Sequence, residues 1–247
     1  MNTFRKFIYA GVLAFIFFGM ASEELAAFQQ TERHIGIVRK FKPDVTVQNL
    51  NIGKLDTLTL DNLGEKLFSG DSLFTAQGAY ALVLFMDNSV AKVKPNSLLR
   101  ITGDVGTTSK ESNTRINLNK GEVFLEVQPQ GNNDFEVATS RSLASVKGTN
   151  FGSRSNGYTW VEEGQVDLMA LNSGDTQSLF SNMFGTVDED GENVNSGTLS
   201  DEELAELYEG YEEMDQNFVE KEMILRFRDE NGQIREIRIN LFEQEQN

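Results

Sequence analysis

Between Arg33 and Leu171 the apolar residues come in short runs, broken by Gly, Asn and Asp, and none of them repeats at helical spacing. Such runs predict strands at Ile35–Val38, Thr57–Leu60, Ala79–Met86, Val90–Val93, Leu98–Ile101, Arg115–Leu118, Glu122–Val127, Phe135–Ala138, Tyr158–Val161 and Val166–Leu171. Several alternate strictly. Val123, Leu125 and Val127 fall on one face, and Glu122, Phe124 and Glu126 on the other. Turns are predicted at Gly70-Asp71, Asp87-Asn88, Pro95-Asn96, Asn119–Gly121, Gly131–Asn133 and Asn156-Gly157, where residues tolerate positive φ or bond their own backbone. The pattern predicts a mainly all-β domain over residues 35–171, a two-layer β-sandwich or coiled β-sheet stack.

The tail changes character. Residues 172–199 are rich in Ser, Asn, Asp and Gly, with Leu179, Phe180 and Phe184 as isolated apolar residues, and read as a polar linker or long loop. An acidic amphipathic helix is expected over 200–216. Ser200 and Glu203 form a capping box at its start. Leu204, Leu207, Tyr208, Tyr211 and Met214 make one stripe, and eight acids with no cation lie between Asp201 and Asp215. A β-hairpin is expected over 221–242. Pairing Phe227 with Arg235, Leu225 with Ile237 and Met223 with Ile239 gathers the apolar side chains on one face and sets Arg226 opposite Glu236. Gly232 then takes the left-handed position of the loop. A hairpin alone is marginal, so helix and hairpin are expected to pack on the β body.

The first residues form a targeting segment. Arg5 and Lys6 precede the apolar run Phe7–Met20, and Gly19-Met20-Ala21 supplies small residues for cleavage. The run falls short of the roughly 20 residues needed to span a bilayer. Residues 1–21 are therefore expected to be a cleaved signal peptide, with 22–34 a linker and no stable membrane span after cleavage. Residues 1–21 carry two cations and no acid, so their removal takes the net charge from −16 to −18. The chain is expected to be exported, to the periplasm or cell surface of a bacterium.

Composition narrows the chemistry. The 247 residues include no cysteine and a single histidine, His34. That removes thiol catalysis, Cys-ligated metals and multi-His sites, and it disfavours a Ser/His/Asp triad. The negative charge argues against nucleic acid as a partner. Asp188–Asn193 invites a calcium reading, yet the loop positions that need Gly and Glu hold Asn193 and Leu199. Lys147-Gly148-Thr149 lacks the upstream glycine of a phosphate loop. Carboxylate pairs abound without specific spacing. Phe151, Tyr158 and Trp160 would suit a sugar ring but lie in strand patterns. No catalytic, cofactor-binding or metal-binding residue is expected, and no cofactor. Leu204, Leu207, Tyr208 and Tyr211 are candidates for docking a partner through the helix face.

Seven short motifs occur in a fixed order. They are Gly64-x-x-Leu67-x-x-Gly70-Asp71-x-Leu73-x-Thr75, then Ala81-x-x-Leu84-x-x-Asp87-Asn88-Ser89, Lys94-Pro95-Asn96-Ser97, Lys120-Gly121-Glu122-Val123-Phe124, Phe135-x-Val137-x-Thr139, Ala144-x-Val146-Lys147-Gly148-Thr149-x-Phe151 and Val161-x-x-Gly164-x-Val166. In this order they resemble the FecR domain, over about residues 35–171. Asn88 and Lys147 stand where the family usually has Gly and Arg. Gly70, Asp71, Thr75, Asp87, Ser89, Pro95, Ser97, Gly121, Thr139, Gly148, Thr149 and Gly164 carry the pattern, and turn and strand chemistry accounts for them as fold determinants. In the best-known relatives the domain is the periplasmic part of a regulator of iron-transport signalling. Only Met1–Lys6 precede the apolar run here, so the cytoplasmic anti-sigma segment of those relatives is not expected. The resemblance implies a non-catalytic binding or signalling-interaction module of the bacterial envelope, with envelope proteins as partners. The competing reading is an envelope polysaccharide-binding protein or a carboxylate-dependent hydrolase.

Overall fold

The structure, a computed structural model, describes residues 33–50, 52–106, 112–131, 133–215, 218–228 and 232–244. Eighteen strands form two nine-stranded sheets. The first sheet runs, edge to edge, β18 (Val194–Thr198), β17 (Met183–Val187), β14 (Tyr158–Glu163), β13 (Thr149–Arg154), β10 (Glu122–Val127), β7 (Val90–Val93), β6 (Tyr80–Phe85), β1 (Gly36–Lys42) and β4 (Glu65–Leu67). The second runs β16 (Thr176–Phe180), β15 (Gln165–Ala170), β12 (Ser142–Val146), β11 (Phe135–Ala138), β9 (Ser112–Lys120), β8 (Leu98–Val105), β5 (Ser72–Thr75), β2 (Val45–Asn49) and β3 (Lys54–Thr57). From β6 onward the chain winds between layers, mostly two strands at a time. All pairings are antiparallel except β9 with β11. The all-β architecture expected from the pattern of short alternating runs is the one observed.

The inner faces make one core. Val123, Leu125 and Val127 of β10 are buried in it, with Val83, Val93, Phe151 and Val161 from neighbouring strands and Ile116, Val137, Val166 and Leu168 from the facing sheet. Phe85 and Phe135 meet across the layers edge to face, ring centroids 5.4 Å apart. At the tip of the β6–β7 hairpin, Asn88 has φ 67°. Asn tolerates this left-handed conformation better than other side-chain-bearing residues, which explains why it serves in place of Gly.

Four expectations need correction. Residues 172–199 are not a linker: they contain β16, β17 and β18, which extend both sheets. Two of these strands are edges, and an edge strand buries few side chains. Leu179, Val187 and Val194 suffice here, so the segment looks polar. Thr57–Leu60 is not a strand: β3 ends at Thr57, and a 3₁₀ turn covers Leu60–Asn62. The helix over 200–216 is two helices, α1 (Asp201–Tyr208) and α2 (Glu212–Asp215). Gly210 at φ 85° breaks it. Ser200 and Glu203 do form the capping box.

The fourth concerns the hairpin. Strands β19 (Phe218–Arg228) and β20 (Ile234–Gln244) pair in the register derived from the sequence, with Phe227 opposite Arg235, Leu225 opposite Ile237 and Arg226 opposite Glu236. Gly232 has φ 77°. The cover was misjudged, however. Of the expected face, Phe227 and Ile237 are 47% and 48% exposed, so the hairpin does not bury these two against the sandwich, while the side chains of Met223, Leu225, Ile239 and Leu241 lie outside the described residues; on the opposite face Ile224 and Ile234 are 40% and 66% exposed. The helical segment docks on the β body; at these positions the hairpin does not. The expected signal peptide, and all but the last two residues of the 22–34 linker, lie outside the described residues.

Candidate functional site

Strand alternation sends one set of side chains to the outer face of the first sheet. Tyr80 and Leu82 of β6, Lys92 of β7, Phe124 of β10 and Tyr158 and Trp160 of β14 form this set. An outer face is ordinarily wet, yet Trp160 is 0% exposed and Lys92 and Phe124 are 1% exposed. The cover is the C-terminal segment Leu199–Asp215. Leu199, Leu204, Leu207, Tyr208, Tyr211 and Met214 pack on Tyr80, Phe124 and Trp160 as a second, smaller core. Phe124 meets the Tyr208 ring edge-on at 4.9 Å and the Tyr211 ring at 5.4 Å. The four residues expected to dock a partner are thus occupied within the chain: Tyr211 is 0% exposed, and Leu204, Leu207 and Tyr208 are half-buried.

Gly152 makes room for this core. It lies opposite Trp160 on β14 and Phe124 on β10. A Cβ there would fall 1.8 Å from Trp160 Cζ2, so the indole lies across the backbone of β13. The Trp160 Nε1 proton is buried in the same interface and has no hydrogen-bond partner among the described residues. An orphaned buried donor of this kind costs about 1–3 kcal/mol.

Charge fastens the segment to the sheet. Lys92 Nζ lies 2.6 Å from Glu126 Oε1 and 2.5 Å from Asp215 Oδ1, and it donates to Tyr208 Oη at 2.7 Å. Tyr208 Oη in turn donates to Asp215 Oδ2 at 2.8 Å. Lys94 pairs with Glu122 at 2.8 Å and stands 4.3 Å from the centre of the Tyr211 ring. Tyr211 Oη donates to Glu122 Oε1, and Arg154 holds Glu122 Oε2 at 2.6 Å. Lys40 Nζ donates to the carbonyls of Glu213 and Met214, both at 3.1 Å, and Lys42 pairs with Glu213 at 3.2 Å. The segment ends over a row of cations, which suits the negative end of a helix.

Ionisation follows this geometry. Burial by itself would lower the Lys92 ammonium, but hydrogen bonds with Asp215, Glu126 and Tyr208 outweigh it and hold the group above its ordinary value. Burial raises the Tyr211 hydroxyl well above its usual range, with Glu122 adding to the effect. Burial also pushes Tyr208 and Tyr80 up to about 12. Lys40 is lowered, chiefly by burial, against the pull of Asp215 and Glu213.

The twelve residues that carry the sequence motifs do not converge on one place. Asp71 accepts hydrogen bonds from the Phe68 amide at 2.8 Å and the Leu50 amide at 3.3 Å, closing the turn at Gly70. Thr75 Oγ1 donates to the Lys94 carbonyl and accepts from the Ser97 amide. Ser97 Oγ bridges the Glu122 amide and carbonyl, and Gly121 leaves it space. Pro95 sits in the turn between β7 and β8. Asp87 accepts from Ser89 and from the buried Gln130. Thr139 caps its own turn through the Arg141 and Ser142 amides. Thr149 Oγ1 donates to the Gln165 carbonyl, with Gly148 and Gly164 packed close by. Each group fastens a turn or joins two strands.

The other candidates resolve in the same way. Asp188 accepts from the Glu192 amide and the Asn193 side chain, which fold the acidic turn on itself and hold its carboxyl below the usual range. Phe151 lies in the main core, Trp160 is covered, and Tyr158 stacks on Phe184 at 5.5 Å. No open aromatic platform for a sugar remains among the three. Among the described residues no group of three or more His, Asp or Glu is arranged to hold a metal ion. No described helix is long and apolar enough to cross a membrane.

Sequence reasoning missed Lys92, Lys94 and Gly152. Lys92 reads as a solvated strand residue, because the Tyr208 that covers it lies 116 positions away. The available clue was a Lys on the same outward face as Phe124 and Trp160, in a chain whose tail carries an acidic, Tyr-bearing helix.

Two crystal structures of a "putative anti-sigma factor" from Parabacteroides distasonis ATCC 8503 resemble this chain with TM-scores of 0.47 and 16% identity. The match covers 56% of this chain and 65% and 64% of theirs, so it spans less than two thirds of either neighbour. No curated protein matches. The model of the FecR protein family matches residues 71–167, which include the motifs from Asp71 to Val166. The part of the chain similar to the FecR protein family is thus the stretch from β5 to β15.

Proposed function

We propose that this chain is an exported, non-catalytic interaction module of the bacterial envelope, which engages another envelope protein through its C-terminal hairpin. The observation that carries the reading is the exposure of apolar side chains on the β19–β20 hairpin, with Phe227 and Ile237 on one face and Ile224 and Ile234 on the other, each at least 40% open to water. A two-stranded sheet is marginal by itself, and exposed apolar patches mark binding surfaces. The FecR domain supports a regulatory role in place of an enzymatic one. The sequence of the first 21 residues supports export.

The test is affinity capture from the native envelope. The mature protein, beginning at Ser22, is compared with the double substitution Phe227→Asp and Ile237→Asp. The parent should retain a defined envelope protein that the variant loses. Identical captures from both, or turnover by the parent on a panel of envelope polysaccharides, would overturn the reading. Mass measurement of the exported protein checks the start at Ser22; an intact Met1 would refute cleavage.

A further inference from the structure

The segment Leu199–Asp215 lies on the sandwich as a bound peptide lies in a groove. Helix α1 buries none of its residues fully; its stripe is half-buried. The carboxylates that grip Lys92 stay wet, with the side chains of Glu126 and Asp215 37% and 46% exposed. Beneath the segment is a cradle of unusual sign for this chain. Lys40, Lys42, Lys92, Lys94 and Arg154 surround Phe124, Trp160 and Tyr80, in a protein of net charge −16. At its floor the Trp160 Nε1 proton is buried and unpartnered among the described residues. A cover that had become a permanent part of the core would be expected to satisfy that donor.

We propose that the cradle is a protein-docking groove, that Leu199–Asp215 is its built-in occupant, and that an acidic amphipathic helix of a partner protein takes its place. The proposal rests on the reading of the chain as an interaction module. The resident segment defines what fits: apolar and aromatic residues at the spacing of Leu204, Leu207, Tyr208 and Tyr211, followed by carboxylates for Lys40, Lys42 and Lys92. A side-chain acceptor over Trp160 Nε1 gives the incoming helix a bond that the resident does not make. The resident ends at Asp215 and the hairpin begins at Phe218, so a partner that engages the hairpin holds the segment by its end. A groove occupied most of the time binds a competitor more weakly by the fraction of time it is open, and release of the occupant restores the affinity.

Trp160 is the only tryptophan, so its fluorescence reports on this groove alone. The experiment uses the full mature chain and the double substitution Glu213→Lys and Asp215→Lys, both at half-exposed positions facing the cradle lysines. The probe is a synthetic peptide with the sequence of residues 199–216. In the variant, acrylamide should quench Trp160 several-fold more than in the parent while circular dichroism shows the sandwich folded. The peptide should bind the variant at least about tenfold more tightly than the parent and restore the protection of Trp160. The same peptide with its acids changed to Gln should fail to bind. Unchanged quenching, equal affinity for both proteins or no binding would overturn the proposal. Unfolding of the variant would also overturn it, since the segment would then be part of the fold. Hairpin-dependent capture, measured on the same proteins, separates the two readings. Capture that persists while the groove stays closed refutes the docking groove alone, and absence of capture by the parent refutes the interaction module.

Discussion

Gly152→Ala is the sharpest test of how the second core is built. One methyl group is added to a residue with no backbone reason to be glycine, since its φ is not in the left-handed region. The new Cβ would lie 1.8, 2.0 and 2.2 Å from Cζ2, Cη2 and Cε2 of Trp160. No rotamer of alanine relieves that, so the indole must leave its place across β13, and Phe124 and Tyr211 must repack. Overfilling a packed site costs about 1–3 kcal/mol, and a displaced aromatic ring puts this case at the upper end. For a protein of this size each kcal/mol lowers the melting temperature by about 2–4 °C, so a fall on the order of 5–10 °C is expected. Thermal unfolding by circular dichroism measures it, and Trp160 emission should shift to the red. A double-mutant cycle isolates the contact. With Trp160→Leu as background the space is empty, and Gly152→Ala should cost less than about 1 kcal/mol. Equal costs in both backgrounds, or an unchanged melting temperature in the first, would refute the account.

Other outcomes follow from the same geometry. Lys92→Met should destabilise by about 1–2 kcal/mol and increase quenching of Trp160, because it removes the ties to Asp215 and Tyr208 but leaves carboxylates that water can reach; chemical denaturation with Trp160 as reporter checks both. Alkaline pH should release the segment. The raised Lys92 value means that its contribution is complete below the ordinary 10.5 and lost as pH climbs through the folded value. The raised tyrosines likewise contribute below 10.0 and lose that contribution on ionisation, near 12 for Tyr208. Tyrosinate absorbance and Trp160 quenching should therefore rise together above pH 10 and stay flat from neutrality to that point. Asp71→Ala should cost about 1–3 kcal/mol by stranding the Phe68 and Leu50 amides, read as a lower denaturation midpoint. Phe227→Asp should leave the melting temperature within about 2 °C of the parent, because a substitution at an exposed position changes stability little, while it abolishes capture.

Much of the fold was legible because it depends on local rules. Alternation along β10 put Val123, Leu125 and Val127 inward, and turn residues marked the ends of most central strands. The hairpin register could be derived because a slip of one residue would have mixed its faces. The capping box fixed the start of α1. The family motifs were visible as an ordered string, and each proves to hold a turn or a strand crossing. Where local rules were weak the reading failed. β16 and β18 are edges with few buried side chains, so a polar stretch passed for a linker.

The second core could not be read from the chain. An outward residue of a strand is wet or dry according to what lies on it, and that is set by segments far apart in sequence. Tyr208 reaches Lys92 across 116 positions, and Tyr211 reaches Glu122 across 89. The sequence determined that the tail has an apolar stripe and an acidic face, and that β7, β10 and β14 carry Lys92, Phe124 and Trp160 on one side. Only the tertiary structure decided that the one covers the other, while Ile224, Phe227, Ile234 and Ile237 of the hairpin stay open to water. Burial is a property of the assembled surface, and periodicity records only which residues share a face.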